Sequence, residues 1–137
     1  MSEENKTVVK RFVTEYQNGR DEEALRELVA QQVVDHAAAP GTPPGIAAVK
    51  AFHEAFYAAF SGLHADIHQQ VAEDDMVVTR KTFRGTHTGD FMGIPPTGKE
   101  VELGVIDIVR IRDGQIAEHW NQLDQLGLLR QLGVVSV

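Results

Sequence analysis

Residues Glu100 to Leu123 read EVELGVIDIVRIRDGQIAEHWNQL, and their reading decides the fold. They divide into two strands, Glu100–Arg112 and Gln115–Leu123, joined at Arg112-Asp113-Gly114. Inside the first strand Asp107 is flanked on both sides by β-branched residues, Val105, Ile106, Ile108 and Val109. A carboxylate in such a setting is buried, and without a partner its burial costs several kcal/mol or forces protonation. The turn supplies the partner. An ordinary residue, then Asp, then Gly suits a three-residue hairpin loop with a Gly bulge, which pairs Ile111 with Gln115. That register sets Asp107 opposite His119 and Val105 opposite Asn121, so the three polar residues share a face. The competing two-residue turn pairs Asp107 with Trp120 instead and breaks the cluster, because a one-residue slip reverses the face.

Upstream, the two-residue period continues. Leu63, Ala65, Ile67, Gln69 and Val71 alternate with His64, Asp66, His68 and Gln70, and Glu73-Asp74-Asp75 turns into a strand from Met76 to about Gly85. Between the strands lies an irregular stretch, Thr86 to Lys99, long enough to act as a lid or binding loop and carrying Phe91, Met92 and Ile94. The first third of the chain is helical in period. Val8, Val9, Phe12, Val13 and Tyr16 form one stripe; Asp21 caps a second helix with Leu25, Leu28 and Val29. Val33 to His36 reads as a short strand and Ala37 to Gly45 as a Pro/Gly-rich loop. A third helix carries Phe52, Phe56 and Phe60 on one stripe. Asp124 to Leu132 closes the chain as an amphipathic helix.

Helices grouped before a meander imply a single α+β domain over residues 1–137: a curved antiparallel sheet wrapped over N-terminal helices. At 137 residues, 42% hydrophobic, such a chain can hold a core and a pocket.

Charge and composition exclude several classes. Asp and Glu outnumber Lys and Arg 20 to 13, for a net charge of −7, and there is no basic run to hold nucleic acid or an anionic membrane. With 0 Cys there is no disulfide, thiolate metal site or cysteine nucleophile. The first residues lack the apolar core of a signal peptide, and no stretch reaches the roughly 18 apolar residues of a membrane span. The expected address is the cytoplasm. No glycine-rich nucleotide motif and no Gly-x-Ser-x-Gly elbow occurs. His64, Asp66 and His68 share a strand face but match no metal-ligand spacing, so neither metal nor cofactor is expected.

An Asp107–His119 pair in an apolar pocket suits general acid–base catalysis, the carboxylate orienting and tuning the imidazole; a buried pair that only satisfies itself is the competing reading. His36 is a candidate for the pocket mouth or a plain surface residue, and His53 for a pocket wall or a hydrogen-bonded core position. Phe56, Phe91, Met92 and Trp120 complete the candidate ligand-binding set; Phe56 also suits plain core. Ile106, Ile108 and Trp120 alternate away from the Asp107 face, and that outer face is expected to form a homodimer.

Gly85 to Lys99 (GTHTGDFMGIPPTGK), Asp113 to Trp120 (DGQIAEHW), Asp124 to Leu129 (DQLGLL) and Val34-Asp35-His36 with Pro40-Gly41 and Pro43-Pro44-Gly45 together resemble the SnoaL-like polyketide cyclases. The resemblance implies the cone-shaped nuclear transport factor 2-like fold, an α+β barrel, usually dimeric through its sheet. It also implies cofactor-free intramolecular aldol closure of a polyketide ester. In that family's pattern an Asp directly after the Trp is the acid/base, with a His across from it on the preceding strand; here those positions are Asn121 and Asp107. Asn cannot exchange a proton at neutral pH. Two readings follow. In one, Asp107 and His119 move a proton next to a carbonyl of a small apolar molecule and Asn121 donates to the developing enolate oxygen. In the other, the chain binds such a molecule without converting it.

Overall fold

The computed structural model describes residues 2–136. The chain runs α1 (Ser2–Arg11), continued by a π-helical segment Phe12–Asn18, then α2 (Glu22–Leu28), β1 (Val29–Asp35), α3 (Ile46–Ala59), β2 (Phe60–Glu73), β3 (Met76–His87), β4 (Glu100–Arg112), β5 (Gln115–Leu123) and α4 (Gln125–Leu132). Local chemistry sets the helix ends. Asp21 accepts hydrogen bonds from the Glu23 and Ala24 amides at the start of α2, and Asp124 accepts from Gly127 at the start of α4. Gly133, at φ 81°, ends α4 in the left-handed conformation.

The five strands form one sheet in the order β1-β5-β4-β3-β2. The expected α+β architecture is present, with two corrections. β1 joins the sheet parallel to β5, not antiparallel, and the sheet stays open, with β1 and β2 as its edges rather than a closed barrel. β1 also begins at Val29, four residues before the expected strand, because Leu28 ends α2 and the backbone extends at once.

The hairpin differs from expectation as well. Asp113 (φ 53°) and Gly114 (φ 75°) both adopt positive φ, which makes a two-residue turn with Arg112 opposite Gln115. Taken alone this would reverse the face of β5. A bulge prevents it: Ile111 pairs with Ile116 but Arg110 pairs with Glu118, leaving Ala117 as an extra residue. Beyond the bulge Val109 faces His119, Ile108 faces Trp120, Asp107 faces Asn121 and Val105 faces Leu123. A second shift, between Ile67 and Gln69 in β2, interrupts the expected alternation there, so Val71 points to solvent.

One face of the sheet is covered by the helices and holds two apolar clusters. The first includes Val13, Phe56, Phe60, Phe83, Leu103 and Val105, closed by Leu128 and Leu132 of α4. The second includes Val9, Tyr16, Val33, Val77, Val109 and Ile111. Each fully buried Phe or Leu contributes about 1.5–3 kcal/mol, so these clusters hold the sheet to its helices. The aromatic stripe of α3 is divided by this packing: Phe56 is core, Phe52 is about half exposed, and Phe60 already belongs to β2.

The long loop is tied down rather than free. Thr88 and Gly89 donate to the Ala59 carbonyl, the His87 amide donates to the Lys99 carbonyl, and the Gly98 amide donates to the His87 carbonyl. A Cβ at Gly89 would sit 2.1 Å from the Ala58 oxygen, so only glycine permits this approach. Phe91 docks against Phe60 at 5.1 Å, while Met92 is left exposed.

Candidate functional site

Between the two apolar clusters the inner face of the sheet carries a polar band. Its positions follow from the register. Asp35 of β1 pairs with His119 of β5, which pairs with Val109; Asp107 of β4 lies between Thr79 and Asn121; Lys81 of β3 pairs with Val105. Asp107 and His119 are thus diagonal neighbours on one face, not the directly opposed pair expected from a three-residue turn, and Asn121 is the direct partner of Asp107. The side chains still meet because diagonal neighbours lie within reach of long side chains.

His119 is held from both sides. Its Nδ1 is 2.9 Å from Asp35 Oδ1 and its Nε2 is 2.7 Å from Asp107 Oδ1. Asp107 Oδ2 in turn lies 2.8 Å from Lys81 Nζ, in an ion pair whose side chains are 9% and 4% exposed. Lys81 donates to Gln17 Oε1 at 2.9 Å, Gln17 Nε2 is 2.9 Å from His53 Nε2, and His53 Nδ1 is 2.8 Å from the Val49 carbonyl. One chain of contacts therefore links Asp35, His119, Asp107, Lys81, Gln17 and His53 across four strands and two helical segments.

The electrostatics follow from these contacts. Burial disfavours the His119 cation, but hydrogen bonds and charge from Asp107 and Asp35 outweigh it and push the imidazolium up to about 9. Burial alone would raise the Asp107 carboxyl; Lys81 and His119 overcome it and hold the group far below the usual carboxylate range. Asp35 is lowered by the same competition between burial and His119. His53 behaves oppositely. It is enclosed by Phe12, Tyr16 and Phe52 in edge-on contacts of 5.9, 5.1 and 5.3 Å, and burial lowers it to about 4. At neutral pH the band therefore holds an imidazolium between two carboxylates, a lysine beside one of them, and a neutral histidine at its far end.

Asn121 shares the inner face and is half-buried, but its amide takes no part in this chain of contacts. Phe56 sits in the first apolar cluster, and Phe91 packs against that cluster from the loop. Two expected ligand-binding residues lie elsewhere. Trp120 pairs with Ile108 on the opposite face of the sheet, and His36 stacks on Trp120 at 4.7 Å while reaching Glu118 at 2.9 Å. The alternation of β5 separates both from Asp107. Met92 projects from the loop and contacts Gln125. Among the described residues no group of three or more His, Cys, Asp or Glu is arranged to hold a metal ion. His68, one of the three expected to share a face on β2, bonds Thr82 instead.

Three members of the band escape the sequence reading: Asp35, Lys81 and Gln17. Lys81 carries a signal, because Val77, Thr79 and Phe83 place it on the buried side of β3. Asp35 shares the face of Val33 in the same way. Gln17 carries none, since it turns inward together with its neighbour Tyr16 only where the backbone is wound as a π-helix.

The comparisons with known proteins agree with this architecture. Residues 7–132 match the family model of the SnoaL-like polyketide cyclases. The aklanonic acid methyl ester cyclase DnrD of Streptomyces peucetius is 27% identical over 130 residues, 92% of this chain and 88% of that protein. Among solved structures, TsrD from Streptomyces laurentii superimposes with a TM-score of 0.87 at 31% identity, covering 96% of each chain. IdmH from Streptomyces antibioticus, a candidate polyketide cyclase, superimposes with a TM-score of 0.84 at 36% identity over 95% of this chain and 99% of its own. With its fold, its curved open sheet and its sequence over residues 7–132 all in agreement, the chain belongs to the SnoaL-like polyketide cyclase family.

Proposed function

We infer that this cyclase-family chain closes a ring in a small, apolar, ester-bearing polyketide by an intramolecular aldol addition, with Asp107 as the proton-transferring group and no cofactor. The observation that carries the reading is Asp107 itself: a buried, ionised carboxylate on the inner face, held between His119 and Lys81. Its role is to take a proton from a carbon flanked by carbonyls. The electron pair left behind forms an enolate, whose carbon bonds to a separate, more distant carbonyl carbon of the same molecule as that C=O π bond breaks, and the resulting alkoxide recovers the proton from Asp107. Nothing is gained or lost overall, so no co-reactant is needed.

A carboxylate with so low a proton affinity is a weak base, and the same two cations offset that weakness. When the proton moves to Asp107, the negative charge moves to an enolate lying against the same imidazolium and ammonium field, which stabilises it there. Asn121, directly across from Asp107, supplies an amide donor for the enolate oxygen. The alternative, a binding protein with the same pocket, rests on Asn121 standing where the family pattern has its acid/base.

The test is conversion of aklanonic acid methyl ester and nogalonic acid methyl ester, the compounds that name the curated relatives. Products are followed by chromatography, absorbance and mass, the last unchanged by an isomerising ring closure. Closure by the wild type and its loss in Asp107→Asn support the reading. Tight binding of either ester without conversion would refute it in favour of the binding protein.

A further inference from the structure

We propose that Lys81, Gln17 and His53 form a one-directional hydrogen-bond chain, anchored on the Val49 carbonyl, whose work is to hold the Lys81 ammonium against Asp107 as a positioning device. The inference deepens the reading of Asp107 above and rests on it.

The direction of the chain is fixed by its ends. The Val49 carbonyl can only accept, so His53 Nδ1 carries the hydrogen at that 2.8 Å contact. In the neutral imidazole Nε2 is then a lone-pair acceptor, and it takes a hydrogen from Gln17 Nε2 at 2.9 Å. That orients the amide, turning Gln17 Oε1 toward Lys81, which donates to it at 2.9 Å. Lys81 has no acceptor of its own and points its remaining charge at Asp107 Oδ2, 2.8 Å away. Each of the three contacts from Val49 to Lys81 has one donor and one acceptor, and flipping the Gln17 amide would set its Nε2 against the Lys81 ammonium and its Oε1 against the His53 lone pair.

The setting removes alternatives. Gln17, His53 and Lys81 are respectively 5%, 5% and 4% exposed, so solvent does not replace a lost partner. Gln17 reaches the line because Phe12–Asn18 is π-helical, which turns both Tyr16 and Gln17 inward. π-Helical turns of this kind are frequent at functional sites. Burial keeps His53 uncharged until about pH 4, which preserves its acceptor. The lysine is thereby denied the rotamer freedom that a long flexible stem otherwise has.

The test compares Gln17→Met, close in shape but without polar atoms, with Lys81→Met, in full-length protein. The first readout needs no substrate: carbon-13 detection of the Asp107 carboxyl and nitrogen-15 detection of the His119 ring across pH. Both variants are expected to raise the Asp107 midpoint by about one pH unit or more, with Lys81→Met the larger. The second readout is turnover, where kcat is expected to fall about tenfold in Gln17→Met with KM changed less than about twofold, the pattern of a lost transition-state interaction. A His53→Gln variant, which retains both an acceptor and a donor, is expected to recover part of the loss that His53→Phe incurs. An unchanged Asp107 titration in Gln17→Met, or in Lys81→Met, would overturn the proposal. Coupled titrations in a wild type that closes no ring would uphold the device and count against the proposed reaction alone.

Discussion

Replacing Asp107 by Asn tests the electrostatics of the site before any substrate is added. In the wild type, His119 sits at about 9 against an ordinary 6.5, which means the folded chain favours its imidazolium by on the order of 3 kcal/mol. Among the contacts that raise it, the hydrogen bond to Asp107 comes first and that to Asp35 second. The substituted amide keeps the shape of the carboxylate but removes its charge, and it leaves Lys81 as an unpaired buried cation near the ring. The His119 midpoint is therefore expected to fall by well over one pH unit, toward neutrality. Breaking the buried Lys81 pair should cost about 3–5 kcal/mol of stability, within the 5–15 kcal/mol typical of a domain. The pH dependence of stability carries a sign. A raised histidine contributes fully below its unfolded value near 6.5 and loses that contribution as pH climbs through about 9. The depressed Asp107 carboxyl contributes above its unfolded value near 3.8 and loses it as pH falls below that. Urea denaturation of the wild type should accordingly show stability declining between pH 6.5 and 9, and Asp107→Asn should flatten that decline. Ring-proton NMR gives the midpoint directly. An unchanged His119 midpoint together with an unchanged slope would refute the ion-pair reading of the site.

Asn121→Asp should lower turnover on the order of a hundredfold, since it removes a donor and adds a carboxylate where an oxyanion develops; a gain of ring closure in the mutant alone would sink the proposed role of Asp107. The outer face of the sheet, where Ile106 is 45% exposed beside Ile108 and Trp120, is expected to bury itself against a second copy. Ile106→Lys should then shift sedimentation from dimer to monomer at micromolar protein, and a wild type that is monomeric at every concentration would exclude this interface. Exhaustive chelation should leave turnover unchanged; loss of activity that added metal restores would contradict the cofactor-free mechanism.

The strands were legible in the sequence because their turns are chemically explicit. Glu100–Arg112 and Gln115–Leu123 occur with the expected ends, since Asp113-Gly114 admits the positive φ that a tight hairpin needs. The pairing was not legible in the same way. The two-residue turn and the bulge at Ala117 are two departures that cancel, so His119 keeps the face of Asp107 by a route that local turn chemistry does not reveal. Asp35 escaped for a different reason. It reaches His119 through a parallel pairing of β1 with β5, and a contact across 84 residues leaves no trace in local periodicity. Gln17 depends on backbone winding, which a 3.6-residue pattern cannot anticipate.

Lys81 explains why this chain can carry its carboxylate on β4 and an amide on β5, where the family pattern implied by the resemblance has the carboxylate on the last strand. Asp107 and Asn121 are direct cross-strand partners, so the exchange moves the negative charge across one strand spacing and keeps it on the inner face. Lys81 stands on β3, next to β4 and two strands from β5, so its backbone lies roughly 10 Å laterally from that of position 121. Of the two positions, the one on β4 lies a strand nearer to it. His119, two residues before Asn121 on the same face, reaches that carboxylate from the other side. The resulting group is balanced: carboxylates Asp35 and Asp107 against the His119 imidazolium and the Lys81 ammonium. A further carboxylate at 121 would leave the group net negative where the proposed enolate forms, and like charges in a buried site cannot all ionise cheaply. An amide there keeps the balance and still offers a hydrogen. Asn121 is therefore the residue that a β4 carboxylate paired with Lys81 calls for, and the two positions are expected to vary together.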